Sequence, residues 1–212
     1  MTICIAAICE SGKNVVACAD RMFTAPAPLN LEFETEEQKV EQLAPRCPAL
    51  KSGNSGYGTE VLNAVRQNLR GSQNPTIADV SESLKNQYAS IRAHKADETI
   101  VLSALGSDFS AFLQKGGTLP SYLQLQPGIY QQLVMAMQQF NMNVEIIVAG
   151  IDQSGAHIYR VSHPGTAICL DKLGYDAIGS GGIHALTRLY LGAQTTHRSL
   201  IETLYAVWSE PH

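Results

Sequence analysis

Thr2 stands directly behind the initiator methionine, and its type and position suggest chemistry more directly than any other residue in the chain. Removal of Met1 would leave a free α-amine beside a secondary hydroxyl. An α-amine has an unperturbed pKa of about 8, so part of the population is neutral at physiological pH and can act as a base. A threonine activated by its own N-terminal amine is an established form of nucleophile. Other patterns are weaker. Gly53-Asn54-Ser55-Gly56-Tyr57-Gly58 is a glycine-rich strand-to-helix turn, but its spacing and the absence of a following lysine fit neither a P-loop nor a dinucleotide fingerprint. His94, His157, His163, His184, His197 and His212 are scattered, with no carboxylate or serine at suggestive spacing, and read as structural or surface residues. The cysteines pair with no histidines at zinc spacing, so neither a metal nor a cofactor is expected.

The totals narrow the classes. The chain has 212 residues, enough for one domain, taken as 1–212, with a well-buried core. Hydrophobic residues make up 45% and charged residues 16%, ordinary for a globular protein. The net charge is −4 with no basic block, which argues against a nucleic-acid partner. No apolar run approaches the roughly 18 residues that span a bilayer, so no membrane partner is expected. Five cysteines, an odd number, sit mostly in apolar runs (Cys4, Cys9, Cys18, Cys169) and read as small buried hydrophobes in a reducing compartment. With no signal peptide in the reading, the expected location is cytoplasmic.

The elements that would hold Thr2 begin at once. Met1 to Cys9 is a strand apolar on both faces, and Val15–Ala19 is its hairpin partner, ending at Asp20-Arg21. Residues 24–38, with Pro26 and Pro28 and with Glu32, Glu34, Glu36 and Glu37, read as an irregular acidic loop. Lys39–Leu43 and Pro48–Ser52 read as a second hairpin. A helix after Gly58 carries the stripe Tyr57, Val61, Leu62, Val65 and Leu69, and Asn74-Pro75-Thr76 opens another with Val80, Leu84, Tyr88 and Ile91. Residues 94–126 are the least legible, with short helical pieces at Thr99–Leu105 and Ser107–Gln114 and breakers at Gly116-Gly117 and Pro120. Pro127 fits the first turn of a helix bearing Ile129, Leu133 and Met137. Val144–Gly150, Ala156–Val161 and Thr166–Leu170 read as strands, and Tyr175–Ile178 runs into Gly179-Ser180-Gly181-Gly182. Two helices close the pattern, one with Ile183, Leu186 and Tyr190, the other with Leu200, Ile201, Leu204, Tyr205 and Trp208. Runs of strands segregated from runs of helices imply an α+β protein of stacked layers.

Four local features together resemble the proteasome β-type subunits and the related bacterial ring protease, members of the N-terminal-nucleophile (Ntn) hydrolases. Thr2 opens the first strand, Ala19-Asp20-Arg21 ends the second, Lys39 begins the third, and Ile178-Gly179-Ser180-Gly181-Gly182 forms a Gly-Ser-Gly turn before a helix. Met22 stands where the family has an arginine. The resemblance covers residues 2–191 and implies a four-layer αββα sandwich built into rings.

It also implies the roles of the site. Thr2 would attack a carbonyl, its own amine taking the proton. Lys39 would lower the amine's pKa by adding a like charge, and Asp20 would hold Lys39. The Gly53 N–H would stabilise the oxyanion, and Ser180 would bond the amine. Lys51, two residues before Gly53, would line the pocket for the side chain preceding the scissile bond and favour Asp or Glu there, with Ser55 a second substrate contact. The implied activity is a threonine endopeptidase acting on peptides or unfolded proteins, with like subunits as partners and an unfoldase as a further one. The family carries another aspartate and serine beyond the last helix, and this sequence, ending at His212, has no counterpart for that aspartate. A non-catalytic ring subunit is therefore one alternative, and an Ntn amidase acting on small amides is another. The apolar face Leu200/Leu204/Trp208 points to a homo-oligomer.

Overall fold

The computed structural model describes residues 2–24, 31–34, 38–72, 74–114 and 128–208, an α+β arrangement with two principal antiparallel sheets and six helices. Strand β1 (Cys4–Cys9) is buried along its whole length because both its faces are apolar and strands flank both its edges. On one side it pairs antiparallel with β2 (Asn14–Ala19), Cys4 opposite Ala19. The turn between them holds Glu10, Ser11 and Gly12 at positive φ, which brings the chain back within a few residues.

Residues 24–38 are not irregular throughout. β3 (Met22–Thr24) and β4 (Glu32–Glu34) form a two-stranded antiparallel ribbon, Phe23 opposite Phe33. The prolines and Glu36 and Glu37 that suggested a loop lie outside the described residues.

The larger sheet contains β5 (Val40–Ala44), β6 (Cys47–Gly53), β7 (Val144–Asp152), β8 (Gly155–Ser162) and β9 (Thr166–Cys169), hydrogen-bonded in that order. β10 (Tyr175–Ile178) returns to the first sheet and covers the other edge of β1, Cys4 opposite Ile178.

Helix α1 (Ser55–Leu69) starts within the glycine-rich turn, where Asn54 accepts the Tyr57 N–H and caps it. α2 (Ile77–Ala96) opens on a capping box between Thr76 and Asp79. Instead of breaking into pieces at Thr99, it continues through a π-helical turn, Asp97–Leu102, to Leu105, and ends at Gly106 with φ 68°. α3 (Phe109–Gln114) and α4 (Ile129–Gln139) pack on that extension around Val101, Leu105, Phe112 and Leu133. Gly116, Gly117, Pro120 and Pro127 lie outside the described residues. α5 (Gly182–Leu191) and α6 (Leu200–Trp208) follow.

Three apolar clusters join these parts. α1 and α2 cover one face of the larger sheet through Val61, Leu62, Val80, Leu84 and Tyr88. The other face meets β1 and β10 through Cys4, Ala6, Leu50, Ile147 and Ile178. The far side of the first sheet meets α5 and α6 through Ile5, Ala7, Ala185, Leu189 and Val207. Burial of this kind contributes about 25 cal/mol per Å² of apolar surface removed from water.

Two expectations need correction. The buried stripe of α5 is Gly182, Ala185 and Leu189, whereas Ile183 and Tyr190 face out. The small Gly182 and Ala185 let that helix lie close against the sheet, and Ile183 and Tyr190 fall on its other side. Cysteine burial also varies: Cys4, Cys9 and Cys47 are buried, Cys18 is half-buried and Cys169 is exposed. Among the described residues, no helix is long and apolar enough to cross a membrane.

Candidate functional site

The strand ends decide what surrounds Thr2. Because Cys4 pairs with Ala19 and with Ile178, the residues just past those registers are delivered to both sides of Thr2: Asp20 from β2, Ser180 from β10. The Asp20 N–H donates to the Ile3 carbonyl (3.0 Å), and the Gly181 N–H donates to the Thr2 carbonyl (3.0 Å). Gly179, at φ 97°, passes so close that a Cβ there would lie 2.4 Å from the Thr2 carbonyl oxygen. This is a position only glycine can fill.

Lys39, immediately before β5, reaches in from the larger sheet and is nearly fully buried. Its Nζ donates to Thr2 Oγ1 (3.1 Å), to Asp20 Oδ1 (2.5 Å) and to the Met22 carbonyl. Asp20 is itself fixed, because Oδ2 accepts the Ile3 N–H (2.8 Å) and Oδ1 the Met22 N–H (3.3 Å). The Thr2 main-chain N–H donates to Ser180 Oγ (2.8 Å), and Thr2 Oγ1 donates to the Met22 carbonyl (3.3 Å). Thr2, Asp20, Lys39 and Ser180 therefore meet at one corner, with the ammonium against the hydroxyl and the carboxylate behind the ammonium. Met1 lies outside the described residues.

Gly53 closes β6 on the strand adjacent to Lys39, whose carbonyl accepts the Lys51 N–H (2.9 Å). Its φ is 89°, and a Cβ would lie 1.9 Å from the Asn143 carbonyl oxygen. The close approach of the chain entering β7 thus suffices to require glycine, without reference to a substrate. Ser55 is the first residue of α1.

Lys51, expected to line a pocket, is held by Glu41 of β5 and Thr59 of α1. It is 6% exposed, and its Nζ binds Glu41 Oε1 (2.8 Å) and donates to Thr59 Oγ1 (2.7 Å). The other Glu41 oxygen takes Arg66 from α1. Burial alone would raise the Glu41 pKa, but hydrogen bonds from Lys51 and Arg66 outweigh it and hold the carboxyl below its ordinary value. Gln38, Glu41, Gln42, Lys51, Thr59 and Arg66 line a cavity of about 430 Å³.

Two features escaped the sequence reading. The Met22 carbonyl receives both Lys39 and Thr2, and a main-chain acceptor leaves no signal in residue type. His157 is not isolated: its Nδ1 lies 2.7 Å from Asp171 Oδ2 and its Nε2 2.8 Å from Ser154 Oγ. Asp171 is 14 residues away in sequence and is brought back by the β8–β9 hairpin. Among the described residues, no group of three or more metal-ligating side chains could hold an ion. Comparison with models of known protein families, and with curated proteins, found no match.

Proposed function

We propose that this chain is a threonine-type amide hydrolase of the proteasome β-subunit kind, with Thr2 as nucleophile once Met1 is removed. The observation that carries the reading is the Lys39 ammonium 3.1 Å from Thr2 Oγ1, with Asp20 behind it and Ser180 on the Thr2 nitrogen. The stacking of helices, five-stranded sheet, three-stranded sheet and helices supports a four-layer αββα Ntn arrangement.

In this mechanism the freed α-amine takes the Oγ1 proton as Oγ1 attacks the carbonyl carbon. The positive charge of Lys39 favours the developing alkoxide, and the Gly53 N–H serves as oxyanion donor, each such donor contributing about 3 kcal/mol. Collapse of the tetrahedral intermediate expels the leaving amine, which takes the proton from the α-ammonium, and leaves an ester on Thr2. Water, activated by the same amine, hydrolyses that ester and restores the hydroxyl. Ser180 keeps the amine aimed at Oγ1 throughout.

Peptides or unfolded proteins are the proposed substrates, like subunits the proposed partners, and an unfoldase a further one. In the cavity that Gln38, the neighbour of Lys39 in sequence, helps to line, Lys51 and Arg66 share one Glu41, leaving one net positive charge. That charge supports a preference for an acidic side chain before the cut, weaker than a lone lysine would give. The test is intact mass of the mature chain followed by reaction with a peptide epoxyketone, which needs both the free amine and the hydroxyl of Thr2. Loss of Met1 and one adduct on Thr2 are expected. Quantitative retention of Met1 overturns the reading.

A further inference from the structure

A second gathering of titratable side chains lies where β7 turns into β8, and its protons can be counted. Ser154 Oγ stands 2.6 Å from Asp152 Oδ1 and 2.8 Å from His157 Nε2. His157 Nδ1 stands 2.7 Å from Asp171 Oδ2. A hydroxyl has one proton to give, and a carboxylate has none. Asp152 is a carboxylate at neutral pH, since the Ser154 hydroxyl, helped by the Ile77 and Ser154 N–H groups, pushes it down to about 2. Two oxygens this close with no proton between them would repel, so the Ser154 proton lies toward Asp152. His157 Nε2 then meets an oxygen with no proton left to offer, and must donate. The other atom near Nε2 is Asp152 Oδ1 at 3.4 Å, again an acceptor. At Nδ1 the partner is Asp171, whose Oδ1 already accepts the Ile158 N–H (2.8 Å). An imidazole is a stronger base than a carboxylate, so that proton sits on nitrogen as well.

We propose that this corner is a proton-dependent clasp, closed only while His157 carries a proton on both ring nitrogens. It fastens the end of β7 through Asp152, the β7–β8 turn through Ser154, β8 through His157, and the segment after β9 through Asp171. The first residue of α2 is tied in too, because the Ile77 N–H donates to Asp152 Oδ2 (2.9 Å). A neutral ring has one donor and one acceptor. It can satisfy Ser154 with Asp152, or Asp171, but not all of them, so one link of the clasp must open.

Carboxylates on two sides complement a positive ring. Facing it are Asp152 of β7, Asp171 after β9 and the Tyr159 ring of β8, 6.4 Å away. Cys169 of β9 lies by Tyr159, and Cys47 of β6 and Asp79 of α2 lie near Asp152. All of these are acidic groups, and Lys172, beside Asp171 in sequence, is exposed. The clasp contributes stability while the ring is charged, and that contribution is lost as pH rises and the folded ring gives up a proton. In acid it fails only where the carboxylates themselves take up protons. None of this rests on Thr2 being catalytic.

NMR of the histidine rings in the full chain, observed through nitrogen, counts the protons on each, with His157→Gln assigning the signal. Amide exchange of Ile77, Ser154 and Ile158, whose N–H groups end on the two carboxylates, is followed in the same samples from about pH 5 to about pH 9. Both nitrogens should carry protons while those amides are protected. Loss of one proton should speed exchange of at least one amide about 10-fold beyond its intrinsic rise with pH. Asp171→Asn is the sharper test. Asparagine can still accept the Ile158 N–H and can donate to a bare Nδ1, so a neutral ring then satisfies every partner. That variant should stay protected across the range with the alkaline step gone, whereas loss of an ordinary counter-ion would weaken the corner at every pH. A His157 ring with one bare nitrogen while all three amides stay protected overturns the proposal. So does an alkaline step that persists in Asp171→Asn or, should that variant not fold, in His157→Gln.

Discussion

Two corners of the molecule, toward opposite ends of β7, gather a hydroxyl, a basic group and one or two carboxylates. One is Thr2 with Lys39 and Asp20. The other is Ser154 with His157, Asp171 and Asp152. The nine residues of β7 put roughly 25–30 Å between its ends. By distance alone the Ser154 corner has the more catalytic appearance, since Ser154 Oγ, His157 and Asp171 stand in line at 2.8 and 2.7 Å. The difference lies in the sign of the charge that touches the hydroxyl. Ser154 Oγ donates to Asp152 Oδ1 at 2.6 Å, and Asp152 also accepts the Ser154 and Ile77 N–H groups. Removing the Ser154 proton would set an alkoxide against a carboxylate, so that corner holds the hydroxyl protonated. At Thr2 the charge in contact is an ammonium, which would stabilise an alkoxide there. A serine–histidine–aspartate alignment can thus be a structural tie, while a less familiar grouping sets the charge that favours an alkoxide against its hydroxyl.

The largest expected effect separates the corners directly. Thr2→Ala should abolish epoxyketone labelling, and Lys39→Ala should slow it about 10³-fold or more, whereas Ser154→Ala should leave it unchanged. Loss of labelling in Ser154→Ala with the fold intact would dissolve the distinction. Asp20→Asn comes next. It leaves the buried Lys39 ammonium without its counter-charge and should slow labelling about 10²-fold. It should also cost roughly 2–4 kcal/mol in urea unfolding, because Lys39 is nearly fully buried while Asp20 keeps some contact with water. Unchanged stability would show that the Met22 carbonyl suffices to hold Lys39.

The Ser154 corner makes its own prediction in acid. The hydroxyl of Ser154 is the main cause that pushes the Asp152 carboxyl down to about 2, with the Ile77 and Ser154 N–H groups adding to it. A carboxyl depressed in the folded state contributes stability that is fully present above its unfolded pKa of about 3.9 and lost as pH falls through the folded value. Stability should therefore drop between about pH 5 and pH 2, by on the order of 1–2 kcal/mol from this group, and Asp152→Asn should flatten that part of the curve. An unaltered acid limb in the variant would place the loss elsewhere.

Much of this was legible because period and punctuation are local. Strand β1, its hairpin with β2, and the α1 and α2 stripes follow from apolar spacing, whereas Asp20, Lys39 and Ser180 were marked with Thr2 only by the resemblance to the proteasome β-type subunits. What was missed is what depends on residues far apart in sequence. Glu41 and Lys51 meet because β5 and β6 pair, and Asp171 meets His157 because β9 folds back on β8. The β3–β4 ribbon was hidden by prolines and acidic residues that signal a loop. On α5, Ile183 and Tyr190 looked like a core stripe because large apolar residues were weighed above the small ones, Gly182 and Ala185, that set the packing distance.

The smallest expected effect concerns the cavity lined by Lys51 and Arg66, where a shared carboxylate moderates two cations. Lys51 contributes a positive charge to the lining but spends it on Glu41 and Thr59, and Arg66 spends part of its own on the same carboxylate. An acidic substrate side chain entering there competes with Glu41 for cations already satisfied. The net charge of plus one still disfavours lysine or arginine. The unmodified protein should therefore cleave after glutamate only about 3–10-fold better than after leucine, an energy of roughly 1 kcal/mol. Glu41→Gln removes the competing carboxylate and raises the net charge to plus two, so it should widen that preference. Lys51→Met should narrow it and shift cleavage toward Leu or Tyr, while Glu41, still bound by Arg66, keeps the lining intact. The measurement is kcat/KM on fluorogenic peptides differing only at the residue before the cut, each variant normalised to its rate of Thr2 labelling. That normalisation separates a change in pocket charge from damage to the nucleophile. Faster cleavage after arginine than after glutamate by the unmodified protein, or a Glu41→Gln variant with a weaker acidic preference, would show that this cavity does not read the substrate's charge.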